Sequence, residues 1–388
     1  MTDSPTRRAA LFSTNFLPFS QAFVYEELTH HERWEMEVFC HRRLNEEVFP
    51  FRHVHALSPA PSIQREIESV LYKTLTLSPS HYHRLKEGRF SLLHAQFGPG
   101  GVYALIYKKL LHLPLLVTFG GYEVPLLQTN RRFHPGFWRY WMTSGDLFQH
   151  IDRFLAVSSD LARRLVELGA PRERVHVFQR GIRIPPILSP NRSGSAWNIR
   201  ILMAGRFVEK KGFEYGLQAC DRLLRKGHDI RIQLIGEGPC DALYHRFVLD
   251  NRMSNRVIFR SPLPQAELRR EMEESDLILI PSVVARNGDR EGTTNVLKEA
   301  MAHGLPAVIT RHGGNQDIIR DGVTGFIVDE RDDAAMANRI ERLIEDPGLR
   351  CRMGTAARNH AIESFSLRDR ILELERHYDE VVEQFRGN

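Results

Sequence analysis

Two acidic side chains flank a glycine-containing loop in the second half of the chain. Seven residues separate Glu291 from Glu299, and the loop between them runs into a predicted helix. The first N–H groups of a helix bind anions, and the helix dipole favours phosphate there. A carboxylate two turns later can accept hydrogen bonds from a ribose diol. We therefore expect a nucleotide-sugar site, in which Glu291 binds the sugar and Glu299 the ribose. The loop amides would bind the phosphates, and they belong to Gly292, Thr293, Thr294, Asn295, Val296 and Leu297.

A pair of cations follows the predicted strand Arg200–Ala204. Arg206 and Lys211 lie five positions apart on the loop that leaves this strand, where both can reach one diphosphate. Arginine offers a planar fork and lysine a point charge, which is a common combination at phosphate sites. Loop cations are often merely solvated, but the downstream acidic pair favours phosphate binding. Lys210 is the neighbouring alternative to Lys211.

In the first half, His94 lies in the predicted strand Leu92–Ala95. We consider it a catalytic candidate, with a hydrogen-bonded core histidine as the equal alternative. The sequence has no Asp-x-Asp triplet of the kind that holds a divalent ion against a diphosphate. Fixed cations and helix amides can supply that positive charge instead. We therefore expect no metal and no cofactor other than the donor substrate.

Composition is that of an ordinary globular protein. The 388 residues are 42% hydrophobic and 26% charged, and this length is typical of two domains. The formal net charge of +5 indicates a mild attraction to anions. The sequence lacks a dense basic block, so nucleic-acid binding is not predicted. The four cysteines lack paired spacing, which is typical of reduced thiols in a cytoplasmic protein.

Short apolar segments alternate with amphipathic helical segments along the whole chain, which predicts an α/β protein with parallel sheets. The predicted strands of the first half are Ala9–Phe12, Glu37–Cys40, Leu92–Ala95, Leu115–Phe119 and Arg153–Val157. Those of the second half are Arg200–Ala204, Arg231–Ile235, Val257–Phe259, Leu277–Ile280, Ala307–Thr310 and Gly325–Val328.

A segment rich in proline, serine and glycine interrupts this alternation and predicts a linker over residues 183–198. We expect a first domain over residues 1–182, a second domain over residues 199–366 and a C-terminal helix over residues 367–388. The chemistry-bearing segments follow predicted strands, and doubly wound sheets bind ligands at the carboxyl ends of their strands.

The acidic segment 290–308 resembles the acidic signature of retaining glycosyltransferases of family 4. Arg206 and Lys211 resemble the Arg-x4-Lys pair of that family, and the glycines of segment 312–328 match its closing pattern. The first half is similar to colanic-acid-type bacterial transferases in FLPFSQAFVYEEL and LLHAQFGPGG. The resemblance implies two facing Rossmann-like domains, the GT-B fold, with the last helix returning to the first domain.

The resemblance also implies roles for individual positions. It places the loop at Gly236 and the segment around Arg260 and Leu263 near the nucleotide base. Family members usually carry a histidine that contacts the donor sugar where this chain has Gly120. The amides of Gly120 and Gly121 could replace that histidine. The other possibilities are that Glu123 or His94 replaces it, or that the donor has a different C6 group.

The resemblance implies a retaining transfer of a hexose from a UDP- or GDP-linked donor. The acceptor would be a glycan or lipid-linked saccharide of bacterial surface polysaccharide biosynthesis. Two alternatives remain open at this point, a nucleotide-sugar 2-epimerase and a catalytically degenerate nucleotide-sugar-binding partner protein. No signal peptide or spanning helix is expected, so the sequence predicts a cytoplasmic protein. The pairs Arg131-Arg132 and Lys108-Lys109 suggest a peripheral contact with an anionic membrane. The alternative is a charged face that is merely solvated.

Overall fold

The computed structural model of the protein describes residues 7–59, 62–129, 137–186 and 198–387. Internal contacts divide the chain into two compact units. The first unit comprises Met1–Gly181 together with Leu367–Asn388, and the second comprises Ile182–Ser366. Each unit is built on one parallel sheet.

The first unit contains seven strands and eight α-helices among its described residues. The strands are β1 (Arg7–Phe16), β2 (Trp34–Arg43), β3 (Val54–Ser58), β4 (Leu92–Gln96), β5 (Leu115–Phe119), β6 (Arg153–Ala156) and β7 (Val175–Val177). The helices are α1 (Ala22–Thr29), α2 (Ile63–Leu75), α3 (Pro79–Glu87), α4 (Phe97–Leu111), α5 (Glu123–Gln128), α6 (Trp138–His150), α7 (Ser159–Glu167) and α14 (Leu367–Gly387). The strand order β3-β2-β1-β4-β5-β6-β7 reverses beside β1.

The second unit repeats this architecture with six strands. They are β8 (Ile199–Ala204), β9 (Ile230–Ile235), β10 (Val257–Arg260), β11 (Leu277–Ile280), β12 (Ala307–Thr310) and β13 (Gly325–Val328). Its helices are α8 (Phe213–Arg225), α9 (Asp241–Asp250), α10 (Gln265–Glu274), α11 (Asn295–Ala302), α12 (Asp333–Glu345) and α13 (Pro347–Phe365). The order β10-β9-β8-β11-β12-β13 reverses beside β8. The α/β class and the doubly wound sheets predicted from the sequence are confirmed.

The strands have nearly continuous apolar sequences because helices cover both faces of each sheet. In β1, Ala10 and Phe12 join a core on one face, and Ala9 and Leu11 join a core on the other. The edge strands β3 and β7 were not predicted. Their residues are mostly half-buried, so their apolar pattern is weaker.

The C-terminal helix α14 packs in the first unit, as predicted. Its residues Leu374, Tyr378 and Val381 share a core with Leu11 of β1. Most of the predicted linker, residues 187–197, lies outside the described residues. Ile184, in the described part of the predicted linker, packs against the core of the second unit, and so does Ile182, which was predicted to end the first domain.

Candidate functional site

The predicted site residues of the second unit lie on loops that follow neighbouring strands. Arg206 and Lys211 follow β8, Gly236 follows β9, and Glu291 follows β11. Because β8 pairs with both β9 and β11, these loops leave the same edge of the sheet where the strand order reverses. Doubly wound sheets bind ligands at this point.

Lys211 and Glu291 form a charged pair at this edge. Lys211 Nζ lies 3.3 Å from Glu291 Oε1, and both side chains are largely buried. Burial alone would raise the pKa of Glu291, but the positive charges of Lys211 and Lys210 lower this pKa to about 2. Glu291 is therefore a carboxylate at any physiological pH. Its Oε1 is the oxygen that contacts Lys211 and is itself buried, and no other hydrogen-bond donor of the described residues reaches it.

Lys210 approaches the same carboxylate but has other partners. Its Nζ lies 3.7 Å from Glu291 Oε1, 3.3 Å from Asp289 Oδ1 and 3.1 Å from the Arg290 carbonyl oxygen. Lys210 is buried and fixed by these contacts. For Lys211, Glu291 is the one ion-pair partner within the described parts of the chain. Lys211 is therefore the lysine more available to a ligand.

Arg206 is exposed directly after β8. Its guanidinium forms no ion pair with any residue that the structure describes. An exposed guanidinium beside an ion-paired lysine leaves net positive charge at the end of β8.

The loop that carries Glu291 and leads into α11, called the acidic loop below, is held in place by residues 312–315. Three hydrogen bonds join the two segments: Glu291 N–H to His312 Nε2 (3.1 Å), Gly314 N–H to Gly292 O (2.8 Å) and Thr294 N–H to Asn315 Oδ1 (3.0 Å). Gly313 has a φ of 48°, and a Cβ there would lie 2.3 Å from the Glu291 carbonyl oxygen. Only glycine fits this close approach in this backbone conformation.

His312 is fully buried and contributes one of these three hydrogen bonds. Because its Nε2 accepts the Glu291 N–H, its Nδ1 carries the proton and donates to Glu330 Oε1 at 2.6 Å. Glu330 Oε2 in turn accepts the Val284 N–H at 2.9 Å. Burial would raise the pKa of Glu330, but the hydrogen bonds from His312 and Val284 lower it overall. The glycine pattern marked this segment in the sequence, but nothing there assigned a role to His312, Asn315 or Glu330.

Helix α11 begins directly after the acidic loop, with Thr294 at its N-cap. The buried Thr294 Oγ1 has no hydrogen-bond partner within the described part of the chain. Such an atom costs free energy unless a ligand or water pairs with it. Gly292 is buried, while Thr293, Asn295 and Val296 are half-buried.

Two other predicted residues of this helix have different surroundings. Leu297 is buried in the core, and its N–H already donates to the Thr294 carbonyl oxygen at 3.1 Å. The Leu297 amide is therefore not a free phosphate-binding group. Glu299 is half-buried in the following turn, and its carbonyl oxygen accepts the His303 N–H at 3.1 Å.

The positions predicted near the base are adjacent to one another. The Gly236 N–H donates to the Arg260 carbonyl oxygen at 2.9 Å. The Arg260 guanidinium forms an ion pair with Glu271, so it points toward α10. Leu263 packs against the core on one face of the sheet. Both the side chain and the carbonyl oxygen of Arg260 are therefore engaged within the protein, and a role for this segment at the base stays a prediction.

His94 is completely buried in the first unit. Its Nδ1 lies 2.6 Å from the Tyr378 hydroxyl and its Nε2 lies 2.8 Å from Thr118 Oγ1. Burial lowers the pKa of His94 well below the usual histidine value. Both ring nitrogens are thus occupied by the core, which argues against the predicted catalytic role and favours the alternative of a core histidine.

The amides of Gly120 and Gly121 are also occupied. The two N–H groups donate to the two carboxylate oxygens of Glu123, at 2.7 and 2.8 Å. Burial raises the pKa of Glu123, although these hydrogen bonds oppose the shift. A Cβ at Gly120 would lie 2.6 Å from Phe97 Cε1. In this conformation the two amides are not available to a sugar, because Glu123 is their partner.

Arg180 was not singled out in the sequence. It is buried near the carboxyl end of β4, where its Nη2 donates to Gln96 Oε1 at 2.7 Å. Gln96 donates in turn to Glu27 at 2.8 Å, and the Arg180 guanidinium lies 4.4 Å from the centre of the Phe23 ring. An arginine in an irregular segment carries no sequence signal for such burial.

One group in the described ranges has the spacing of metal ligands: His228, Glu341 and Glu345. His228 precedes β9, at the amino edge of the sheet and away from the acidic loop. Glu341 is already paired with Lys226 at 2.7 Å. This group therefore belongs to a different part of the second unit.

Two family models match the chain. The model described as Glycosyltransferase Family 4 matches residues 24–184, and the one described as Glycosyl transferases group 1 matches residues 195–360. The chain is 28% identical over 254 residues to the putative colanic acid biosynthesis glycosyltransferase WcaL of Escherichia coli (strain K12). It is 32% identical over 252 residues to the amylovoran biosynthesis glycosyltransferase AmsK of Erwinia amylovora. These matches span 65% and 64% of this chain but only 61% and 60% of the relatives' own length.

Solved structures with the same fold align over nearly the whole chain. Sucrose-phosphate synthase from Thermosynechococcus elongatus superposes with a TM-score of 0.75 at 19% identity, over 97% of this chain and 99% of that chain. HepE from Anabaena, in complex with UDP and glucose, superposes with a TM-score of 0.74 at 17% identity, over 96% and 99%. At such identities the likeness establishes the fold alone. Within the described residues, every helix is too short or too polar to cross a bilayer.

Proposed function

Because the chain belongs to glycosyltransferase family 4 and has the GT-B fold, we propose that it transfers a hexose from a nucleoside diphosphate sugar with retention of configuration. The donor is UDP- or GDP-linked, and the acceptor is a hydroxyl group of a glycan or lipid-linked saccharide. The names of WcaL and AmsK refer to bacterial exopolysaccharides. They support a place for this chain in surface polysaccharide biosynthesis.

The observation that carries the proposal is the pairing of Lys211 with Glu291 beside the start of α11. The carboxylate is charged and, apart from the lysines, its Oε1 has no donor within the described residues, and the neighbouring Thr294 hydroxyl has no hydrogen-bond partner there. Arg206 adds an exposed cation on the same sheet edge. These groups provide a carboxylate for sugar hydroxyls and positive charge for a diphosphate. UDP and glucose in HepE, a protein of the same fold, support this class of donor.

The proposed chemistry breaks the bond between the anomeric carbon and the diphosphate oxygen. Arg206, Lys211 and the N–H groups of residues 292, 293, 295 and 296 stabilise the negative charge that develops on the leaving diphosphate. The Thr294 N–H is excluded because it already donates to Asn315. The acceptor oxygen bonds to the anomeric carbon on the face from which the diphosphate departs. The acceptor proton passes to a diphosphate oxygen, so no protein base is required. Glu291 orients the sugar hydroxyls and Glu299 binds the ribose.

Fixed protein cations replace a metal ion in this proposal. We expect transfer to continue at the same rate after treatment with EDTA, with the protein repurified in metal-free buffer. Loss of transfer that returns when Mg²⁺ or Mn²⁺ is added would contradict the proposed role of Arg206 and Lys211.

Three variants test the site residues directly. Lys211→Ala and Glu291→Gln are expected to reduce kcat/KM for the donor by about 10²-fold or more, since each removes a charge at the reacting groups. Glu299→Gln is expected to raise mainly KM, because the ribose is bound equally in the ground state and the transition state. Lys226→Ala, which removes an exposed and ion-paired lysine of the same unit, is the matched control. Unchanged donor kinetics in Lys211→Ala and Glu291→Gln would overturn the assignment.

Both matched family models describe glycosyltransferases, so the epimerase alternative is not favoured. Incubation of the donor without acceptor checks this directly. We expect NMR spectra of the nucleotide sugar to show no 2-epimer.

A further inference from the structure

Helix α2 presents an apolar stripe to solvent. Ile63, Ile67, Val70 and Leu75 are between 55% and 78% exposed, and Leu71 is 36% exposed. Positions three or four residues apart, as from Ile63 to Ile67 and from Leu71 to Leu75, lie on one side of a helix. The exposed side of α2 is therefore its apolar side, which is the reverse of an ordinary surface helix.

The polar side of α2 holds the helix to the first unit. Glu68 accepts hydrogen bonds from the Ser78 hydroxyl at 2.6 Å and from the Ser80 N–H at 2.7 Å. Tyr72 is fully buried and stacks on Tyr103 of α4 with ring centres 4.6 Å apart. The helix is thus fixed by its other side. No helix or strand in the described ranges covers the stripe enough to bury it.

Helix α6 also exposes large apolar side chains to solvent. Trp138, Trp141 and Met142 are 46%, 41% and 64% exposed. Helices α2 and α6 cover the same face of the first sheet, because Tyr72 and Tyr140 belong to one core. Helix α6 runs toward the amino edge of the sheet, since the parallel strand β6 follows it directly in the chain. The first turn of α6 therefore lies toward the carboxyl edge.

The charge of this region is complementary to an anionic surface. Between residues 62 and 150 the sequence has five acidic residues: Glu66, Glu68, Glu87, Glu123 and Asp146. The same segment has ten basic residues: Arg65, Lys73, Arg84, Lys86, Arg89, Lys108, Lys109, Arg131, Arg132 and Arg139. Two of the acids, Glu68 and Glu123, and one of the bases, Lys108, are buried. Arg131 and Arg132 lie outside the described residues. Seven basic and three acidic residues remain, so the charge of the described segment is predominantly positive.

We propose that the stripe of α2 and the exposed side chains of α6 dock on an anionic phospholipid bilayer. Apolar residues of an outward-facing amphipathic helix enter the boundary between headgroups and acyl chains, and tryptophans are enriched at that depth. Neighbouring lysines and arginines add attraction to anionic lipids. Arg139, whose guanidinium lies 5.5 Å from the Trp138 ring centre, combines both features.

This docking surface is independent of the proposed reaction, because vesicle binding can be measured without donor or acceptor. If the acceptor is lipid-linked, as the proposed function includes, docking would raise its concentration near the carboxyl edge of the first sheet. Failure of vesicle binding would leave the transferase assignment standing.

The test is flotation of the full chain with vesicles of phosphatidylcholine containing phosphatidylglycerol. We expect the wild-type protein to float with these vesicles, and to float less with phosphatidylcholine alone. Ile67→Asp places a charge on the stripe without disturbing the core, and it should reduce the partition coefficient by about tenfold or more. Leu249→Asp is the matched control, because Leu249 is 70% exposed on α9 of the second unit. It should bind like the wild type.

The proposal is overturned if the wild-type protein stays with the unbound fraction, or if Ile67→Asp and Leu249→Asp behave alike. Sedimentation velocity without vesicles tests whether a second copy of the chain, rather than a bilayer, covers the stripe. A wild-type dimer that Ile67→Asp converts to a monomer, together with absent vesicle binding, would assign the stripe to a second copy of the chain instead. Equal thermal unfolding of both variants confirms that each remains folded.

Discussion

At the scale of single residues, the adjacent lysines Lys210 and Lys211 have different surroundings. Lys210 is buried and bound to Asp289 and the Arg290 carbonyl oxygen. The side chain of Lys211 instead passes next to the Cα of Gly205 and contacts Glu291. Asp289 and Glu291 together balance these two lysines, so the exposed guanidinium of Arg206 supplies the positive excess for a ligand with two negative charges. Because Lys211 has fewer partners than Lys210, the structure favours Lys211 as the lysine that a ligand meets.

Gly120 is the residue at which this chain departs from the family pattern. Its environment explains why a side chain is not accommodated, because the Phe97 ring occupies the space next to its Cα. Gly120→Ala is expected to lower the free energy of unfolding by about 1–3 kcal/mol through overpacking. In the double variant with Phe97→Leu, part of this loss should be recovered. Urea unfolding of Gly120→Ala, Phe97→Leu and the double variant measures the effect.

Gly145 of α6 provides the matched control for this substitution. A Cβ there meets no atom within 4 Å, and the residue lies inside a helix. Gly145→Ala should raise the free energy of unfolding by about 0.5–1 kcal/mol, because alanine loses less conformational entropy on folding. If Gly120→Ala were as stable as Gly145→Ala, the steric role of Phe97 would be wrong.

At the scale of elements, α14 is joined to the first unit by a buried carboxylate as well as by its apolar side. Glu375 accepts the backbone N–H groups of Glu32 and Arg33 at 2.8 and 2.9 Å, and the Arg33 Nε–H at 3.0 Å. Burial would raise the pKa of Glu375, but His31 and these N–H donors lower it to about 2. The charged form is therefore the one that the fold stabilises.

This pKa predicts the acid sensitivity of the first unit. An unfolded glutamate has a pKa near 4.5, so the stabilisation is complete above that pH and is lost as the pH falls toward 2. Glu375→Gln should lower the free energy of unfolding at pH 7 by about 3 kcal/mol and flatten its decline between pH 4.5 and 2. Urea unfolding at several pH values measures both.

Glu383→Gln, an exposed position on the same helix, is the control and should change stability by less than about 0.5 kcal/mol. Glu375 would have no such linkage if the wild-type and Glu375→Gln proteins lost stability in parallel below pH 4.5.

At the scale of the whole molecule, the two units have separate sheets and separate cores. A ligand bound only by the folded second unit should stabilise that unit in proportion to its occupancy. When UDP or GDP is present at about 100 times the Kd, we expect the free energy of unfolding of the second unit to rise by about 2.7 kcal/mol. Hydrogen exchange should slow most in the loops after β8 and β11 and at the start of α11. Protection confined to the first unit would contradict the proposed nucleotide site.

The sequence determined the class of the fold and the placement of its chemistry. Apolar runs with helical segments between them require parallel sheets covered on both faces. Since Arg206, Gly236 and Glu291 each follow a strand, parallel pairing brings them to one edge whatever the details of packing. These inferences rest on local pattern and chain order, so they need no knowledge of long-range contacts.

The tertiary structure decided which candidate groups are free. His94 meets its partner Tyr378 across most of the length of the chain, and the Glu291 loop depends on His312 behind it. Glu123 is only two or three residues from Gly121 and Gly120, whose N–H groups donate to its carboxylate. The sequence does not show that this carboxylate turns back toward them. Hydrogen-bond partners such as these depend on how the strands and helices pack. A buried group and a ligand-binding group can therefore have the same sequence pattern.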